Sequence, residues 1–304
     1  MTDRRRSHPD PKLTDAAEYR PRVAARHRKG AVFAWVAAAA TLFGVVMLGV
    51  LLFDLVTDGL PTLSWSFVRS FPSRLASRAG VWPAFVGSIY ILLLTAGIAF
   101  PLGVGTAIWL EEYAPATRLR RIIQLNISNL AAVPSIVYGI LGLAVFVRAF
   151  AFGRSLLAGA ATLALLILPV IIIAAQEAIR AVPGSIRFGA YALGATRWQV
   201  VSRQVLPHAF PGIMTGTILA LSRAIGETAP LIVIGAVGYV AFLPESALDE
   251  FTVLPIQIYD WIGRPQAEFH ELAAGAIVVL LIVLLSMNAV AILLRNKFQK
   301  QRLE

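Results

Sequence analysis

The chain has no cysteine, so disulfides, thiolate nucleophiles and cysteine-bound metals are excluded. Lysine is nearly as scarce. Lys12, Lys29, Lys297 and Lys300 are the only ones, and none stands in a G-x-x-x-x-G-K-[ST] loop, so the usual ATP site is missing. The four histidines are widely spaced, and neither H-E-x-x-H nor G-x-S-x-G occurs to suggest a metal-assisted or serine-based reaction. Charge of either sign is thin: Asp, Glu, Lys and Arg make up 14% of the 304 residues, against 58% hydrophobic residues and a mean hydropathy of +0.73. Soluble domains carry about 25% charged residues. The balance here is that of an integral membrane protein.

A helix crosses a hydrocarbon layer of roughly 30 Å with about 20 apolar residues. Six segments meet that requirement, approximately 31–56, 81–110, 128–149, 156–176, 209–240 and 273–294, so the expected fold is an all-α, six-helix membrane protein. Ala31–Phe53 exceeds the roughly 7–15 residues of a signal-peptide core and is expected to be a retained span. The second segment contains Pro101 and the third starts near Pro134. The fifth is interrupted by Pro211 and Pro230, and its length predicts a tilt, a kink or an interfacial start. The domain organisation expected is a polar tail over 1–30, a first span and outer loop over 31–80, the main transmembrane domain over 81–295 and a short tail over 296–304.

The formal charge of +10 invites a nucleic-acid reading, but the basic residues lie between and outside the apolar segments rather than on a soluble domain. Nucleic acid is therefore not an expected partner. Of the 27 basic residues 23 are arginine, which reads as a compositional bias. Basic residues near span ends are retained on the cytoplasmic side. Nine precede the first span, Arg118, Arg120 and Arg121 follow the second, Arg180, Arg187, Arg197 and Arg203 lie between the fourth and fifth, and Arg295, Lys297, Lys300 and Arg302 end the chain. With six spans all four regions fall on one side, and both termini are expected in the cytoplasm. The 241–272 loop, with six acids and Arg264 alone, falls on the other side. Arg69, Arg74 and Arg78 in the 57–80 loop run against this pattern. Arg148 and Arg154 read as snorkelling or anion-attracting residues at the outer end of the third span, and Trp82 and Trp109 as interfacial anchors.

The longest inward loop, 177–208, reads EAIRAVPGSIRFGAYALGATRWQVVSRQVLPH. Pro183-Gly184 marks a turn, Ser185 is a candidate cap for a short helix ending near Gly194, and Ala195 or Thr196 starts a second helix that Pro207 stops or kinks. Trp198, Val201 and Val205 fall at helical spacing on one face. Such a helix pair suits either the groove of a partner protein or the lipid headgroups. A second anomaly lies inside the fifth segment, where Arg223 and Glu227 stand one helical turn apart near its middle. Charged residues at that depth face a bundle interior or an aqueous path. The pair reads as an ion pair that fixes packing, as part of a substrate path, or as a gating contact.

The 177–208 loop resembles the cytoplasmic loop of bacterial ABC importer permeases, in which E-A-A is followed by a glycine and then by L-P. Gly194 and Leu206-Pro207 keep that spacing, while Phe188, Gly189 and Ala190 occupy the E-A-A positions and only the last of them matches. With AVPSIVYG at Ala132–Gly139, EAIRAVP at Glu177–Pro183, LGAT at Leu193–Thr196 and RAIGETAP at Arg223–Pro230, the chain is similar to the PstA family of phosphate importer permeases over about 80–295. The resemblance implies a noncatalytic permease subunit in a bacterial cell membrane. Implied partners are a PstC-like permease, two PstB-like ATPase subunits using ATP and Mg, a PstS-like phosphate-binding protein, inorganic phosphate and membrane lipids. No cofactor is implied for this chain itself. It further implies that Arg223, Glu227, Thr228, Gly226 and Pro230, with Ser135 and Tyr138, line or gate the path. Phe188, Gly189, Ala190, Gly194, Ala195, Thr196, Trp198, Leu206 and Pro207 would couple to the ATPase. Arginine's planar fork matches the oxygens of phosphate, Glu227 would keep the anion from binding too tightly, Gly226 would allow close helix approach, and Pro230 would allow a bend. An ion-coupled carrier and a membrane assembly protein without substrate flux are the competing classes.

Overall fold

The computed structural model describes residues 23–236 and 238–300, and every described element is helical or irregular. Helix α1 runs Val23–Gly59, so helix already occupies the end of the expected 1–30 tail, whose first 22 residues lie outside the described set. The chain up to Asp54 forms one unit, in which every side chain described from His27 onward is exposed. An apolar helix with all sides exposed is compatible with lipid as its solvent.

The second unit, from Leu55 on, holds the remaining helices. These are α2 (Trp65–Arg69), α3 (Trp82–Ile108), α4 (Arg118–Ala131), α5 (Ser135–Gly142), α6 (Leu156–Arg180), α7 (Gly184–Ala192) and α8 (Arg197–Val200), followed by α9 (Leu206–Ala224), α10 (Ala229–Ile234), α11 (Leu254–Ile262) and α12 (Ala267–Lys300). Five helical stretches are long and apolar enough to cross a membrane, and a sixth crossing results if the bent pair Arg118–Ala131 and Ser135–Ala149 counts as one span.

Two expected spans need correction. The third starts at Arg118 rather than near 128, and its halves meet at 105°. Pro134 takes the N-cap position of α5, its fixed φ disfavours continuation from the preceding turn, and Tyr138 Oη donates to the Leu130 carbonyl across the corner at 2.7 Å. The fifth runs Arg197–Ala224, not 209–240, and is succeeded after a break by the short α10. Its upstream half was hidden because Pro207 suggests a stop. The helix instead widens into a π-helical turn over Val201–Val205, where Leu206 N–H bonds the Val201 carbonyl, and Pro207 falls in the first turn of the regular helix that resumes. The wider turn leaves room for its ring and for the bond its missing N–H does not make.

Lipid is as apolar as leucine, so helices in a membrane hold together by close packing rather than by escape from water. The contact of α6 with α9 is built for this. A Cβ added at Gly212 would lie 2.8 Å from the Ala178 Cβ, and one at Gly216 2.2 Å from the Ala174 Cβ. Glycines four residues apart on α9 and alanines four residues apart on α6 bring the two backbones together. Gly216→Leu is expected to destabilise the protein by about 1–3 kcal/mol through overpacking, while Gly105→Ala, where a Cβ meets nothing within 4 Å, leaves stability unchanged or slightly raised. Thermal unfolding in detergent checks the pair, and equal melting temperatures for the two variants would contradict this packing.

The acidic 241–272 loop is not simply a loop. It folds inward through α11, whose Leu254, Ile258 and Trp261 are buried with Phe67, Ala84, Phe269 and Ala273. Ser88 Oγ on α3 accepts from the Leu254 N–H at 2.8 Å and anchors the start of α11.

Candidate functional site

At the end of α3 the helix loosens into a π-helical turn, Trp109–Tyr113, which presents Glu111, Glu112 and Tyr113 in succession. Each meets a different arginine of the 177–208 segment. Glu111 Oε1 accepts from Arg180 Nη2 at 2.6 Å, and its other oxygen accepts from Arg120 Nη2 at 3.4 Å. Glu112 Oε1 accepts from both Nε and Nη2 of Arg187 at 3.1 and 2.8 Å. The Arg197 guanidinium lies 5.0 Å over the Tyr113 ring. Gln176 extends the cluster, donating to Glu111 at 2.9 Å and pairing with Gln124 of α4.

Arg187 is the centre of this arrangement. Beyond Glu112 it donates to the carbonyls of Val182 and Ile179, at 2.7 and 2.8 Å, so one guanidinium ties α7 to the end of α3 and to the end of α6. Only arginine presents a rigid fork of donors suited to three such acceptors. Glu112 is buried, and a buried carboxylate is tolerable because it is paired in this way. None of Glu111, Glu112, Tyr113, Gln176 or Arg187 stood out by spacing. The available signal was two adjacent acids and a tyrosine ending an otherwise apolar span.

The helix pair of the loop has the expected break, with a difference at the cap of α7. Pro183, not Ser185, takes the N-cap of α7, and Ser185 is an exposed residue of its first turn. Gly194 adopts φ +80°, a left-handed conformation that L side chains rarely take. Thr196 then caps α8 in a capping box with Gln199. Val201 and Val205 are buried together with Val200, but Trp198 is 63% exposed, so the three expected on one face are separated. The π-helical turn rotates the later residues relative to the earlier ones. Phe188 at 73% and Leu193 at 89% are also exposed, whereas Ala190, Ala195 and Leu206 pack on the core beneath. Gly189 faces open space and Pro207 is half-buried. The loop thus shows large apolar side chains outward while its arginines hold it to the bundle.

The charged pair lies at the other end of α9. Arg223 is in the last turn of that helix, not near the middle of a span, and its side chain is 51% exposed. Glu227 stands in the break before α10 and accepts from Arg223 Nε at 3.2 Å. Thr228 takes the N-cap position of α10 without a side-chain cap bond. Pro230 lies in the first turn of α10, downstream of the break, and is buried against α5: a Cβ at Gly139 would lie 2.7 Å from the Pro230 Cα. Tyr138 is buried with Ala220 and Ala224 of α9, while Ser135 opens α5 half-buried. The AVPSIVYG and RAIGETAP stretches therefore meet in space. A Cβ at Gly226 meets only the Arg223 carbonyl at 3.8 Å, so among the described residues no neighbouring helix rests on it. Arg148 and Arg154 are both exposed, and Arg154 lies along Gly235 at the end of α10. Among the described residues no group of three or more His, Cys, Asp or Glu is arranged to hold a metal.

A multi-pass, all-α membrane protein with a clasped loop at one end and a broken, charged helix within the span has the features of a transport subunit. The family model described as "Binding-protein-dependent transport system inner membrane component" matches residues 99–302, and the chain belongs to that family. It is 35% identical over 193 residues to the probable ABC transporter permease protein YqgI of Bacillus subtilis, covering 64% of this chain and 65% of that protein. It is 35% identical over 227 residues to the phosphate transport system permease protein PstA 1 of Mycobacterium tuberculosis, covering 73% of each, and 31% identical over 264 residues to PstA of Xylella fastidiosa, covering 86% and 91%. The chain thus spans somewhat under two thirds of the Bacillus relative and most of the Xylella one. Among solved structures, a chain of a bacterial ABC transporter importing alginate superposes with a TM-score of 0.62 at 15% identity, covering 90% of this chain and 99% of that one. A chain of the inward-facing MetNI methionine transporter gives 0.59 at 19%, covering 72% and 97%. These likenesses establish the importer-permease fold.

Proposed function

We propose that this chain is the noncatalytic permease subunit of an ATP-driven inorganic phosphate importer, forming the translocation path with a second permease. The observation that supports it most is the meeting of two motifs at the α9–α10 break, where Arg223 is half-exposed beside Glu227 and Gly139 of α5 packs on Pro230 just downstream. A guanidinium at a helix break holds a partner, and here that partner is an acid that an incoming oxyanion can replace. Passage is then an exchange: phosphate takes Arg223 from Glu227 and returns it on leaving. The phosphate permeases among the relatives give the substrate.

The basic loops support an orientation with the N-terminus, the 177–208 loop and the C-terminus in the cytoplasm. There the exposed Phe188, Leu193 and Trp198 dock into a groove of an ATPase pair that binds ATP and Mg, and the ATPases' closure is carried to the spans. A PstC-like permease, PstB-like ATPases and a PstS-like binding protein complete the assembly. Removing two large apolar anchors costs a protein–protein contact about 2 kcal/mol or more. Phe188→Ala with Trp198→Ala is therefore expected to strip the ATPase from the purified complex, while full retention would contradict the docking role.

Deleting the gene in its own host tests the substrate. High-affinity uptake of radiolabelled phosphate is expected to disappear and to return with the wild-type copy. Unchanged phosphate uptake, with another solute's uptake lost, would assign the path to that solute.

A further inference from the structure

A cavity of about 290 Å³ opens at the end of the bundle that carries the loop, lined by Ala116, Thr117, Arg120, Arg121 and Gln124 at the start of α4 and by Arg180 at the end of α6. No acid lines it. Arg120 and Arg180 reach behind it to Glu111, and Arg180 also pairs with Glu177 at 3.0 Å, but Arg121 is exposed and makes no ion pair among the described residues. Three guanidiniums converge on one opening with only two carboxylates to balance them. The Thr117 hydroxyl, which accepts the Arg120 backbone N–H, adds a neutral donor at its wall, while the Gln124 amide is held by Gln176. The cavity belongs to α4 and α6, whereas the path charge Arg223 ends α9.

We propose that this cavity binds a phosphate-bearing anion, with Arg121 as the free donor and Arg120 and Arg180 shared between that anion and Glu111. Phosphate oxygens match arginine forks, and basic pockets between helices on the cytoplasmic side hold anionic headgroups. Two sources have this chemistry, an anionic phospholipid and free phosphate. The exposed Leu119, Ile122 and Leu125 on the same helix give acyl chains an apolar surface beside the cavity, which favours the lipid. The site rests on the cytoplasmic orientation given above. Because Arg180 ends α6 within the start of the loop, an occupied cavity also changes the charge balance at the Glu111 anchor of that loop.

The test uses the full-length chain purified in detergent with the subunits that stay bound to it. Native mass spectrometry counts retained phosphatidylglycerol against phosphatidylcholine, and equilibrium dialysis with radiolabelled inorganic phosphate is run in the Arg223→Ala background to remove binding in the path. Each arginine near a charged surface contributes about 1 kcal/mol toward an anionic lipid, so Arg120→Gln with Arg121→Gln is expected to lower phosphatidylglycerol retention by about tenfold or more. Arg121→Gln alone, which breaks no ion pair, is expected to lower it severalfold with melting temperature unchanged. Arg203→Gln, outside the cavity, is the control. Arginine-dependent binding of inorganic phosphate with no lipid preference supports the anion site and assigns it to free phosphate. Equal retention of both lipids in all variants, with no arginine-dependent phosphate binding, overturns it. A chain that fails to transport phosphate yet retains phosphatidylglycerol through these arginines supports the site and overturns only the transport reading.

Discussion

Arg187→Ala is expected to leave ATP hydrolysis running while phosphate uptake falls by about tenfold or more. The side chain is only 21% exposed, and its loss leaves the Glu112 carboxylate buried without its partner and frees the carbonyls of Val182 and Ile179. Breaking a buried pair by removing one member costs about 3 kcal/mol, enough to change the population of a held loop by roughly a hundredfold. The loop still offers Phe188, Leu193 and Trp198 to the ATPase, so docking persists, but α7 is no longer fixed to the ends of α3 and α6. Movement of the ATPase then shifts the loop rather than the spans. Arg187→Lys keeps charge without the fork and is expected to fall in between. The readout is the number of phosphates moved per ATP hydrolysed, which global unfolding would not selectively lower. An unchanged ratio in Arg187→Ala would show that the clasp plays no part in transmission.

The second large effect is expected at the broken helix. Arg223→Ala removes the cation that pairs with Glu227 at the α9–α10 break, and uptake should drop by about two orders of magnitude, on the order of losing a preorganised donor to a charged substrate. Glu227→Gln should act differently. Without the competing carboxylate Arg223 holds the anion longer, so both the maximal rate and the half-saturating phosphate concentration are expected to fall. If the pair serves packing alone, the two variants should lose rate in parallel with stability and leave the half-saturating concentration unchanged. The contrast between lowered and unchanged values separates a path from a brace.

Much of this organisation is legible in the sequence because lipid imposes a strong pattern. Apolar length marked α3, α6 and α12, and the glycine and threonine at 194–196 marked the break between α7 and α8. What failed was the weight given to two prolines. Pro207 follows a π-helical turn and stops nothing, whereas Pro134 ends in a corner of 105°. The Glu112–Arg187 clasp joins residues 75 apart in sequence, so no periodicity reveals it. Arg223 was visible as an anomaly, but its position at a helix end depended on where α9 broke, and the break falls at Gly226-Glu227 rather than at Pro230.

Radiolabelled phosphate uptake into proteoliposomes tests the central claim most directly. The vesicles hold this chain, its companion permease and the ATPase, with the binding protein on the substrate side and ATP on the ATPase side. Uptake that requires every component and stops with an inactive ATPase is the result expected of an ATP-driven phosphate permease. Uptake by this chain without the ATPase, or none from a verified intact complex, would contradict it.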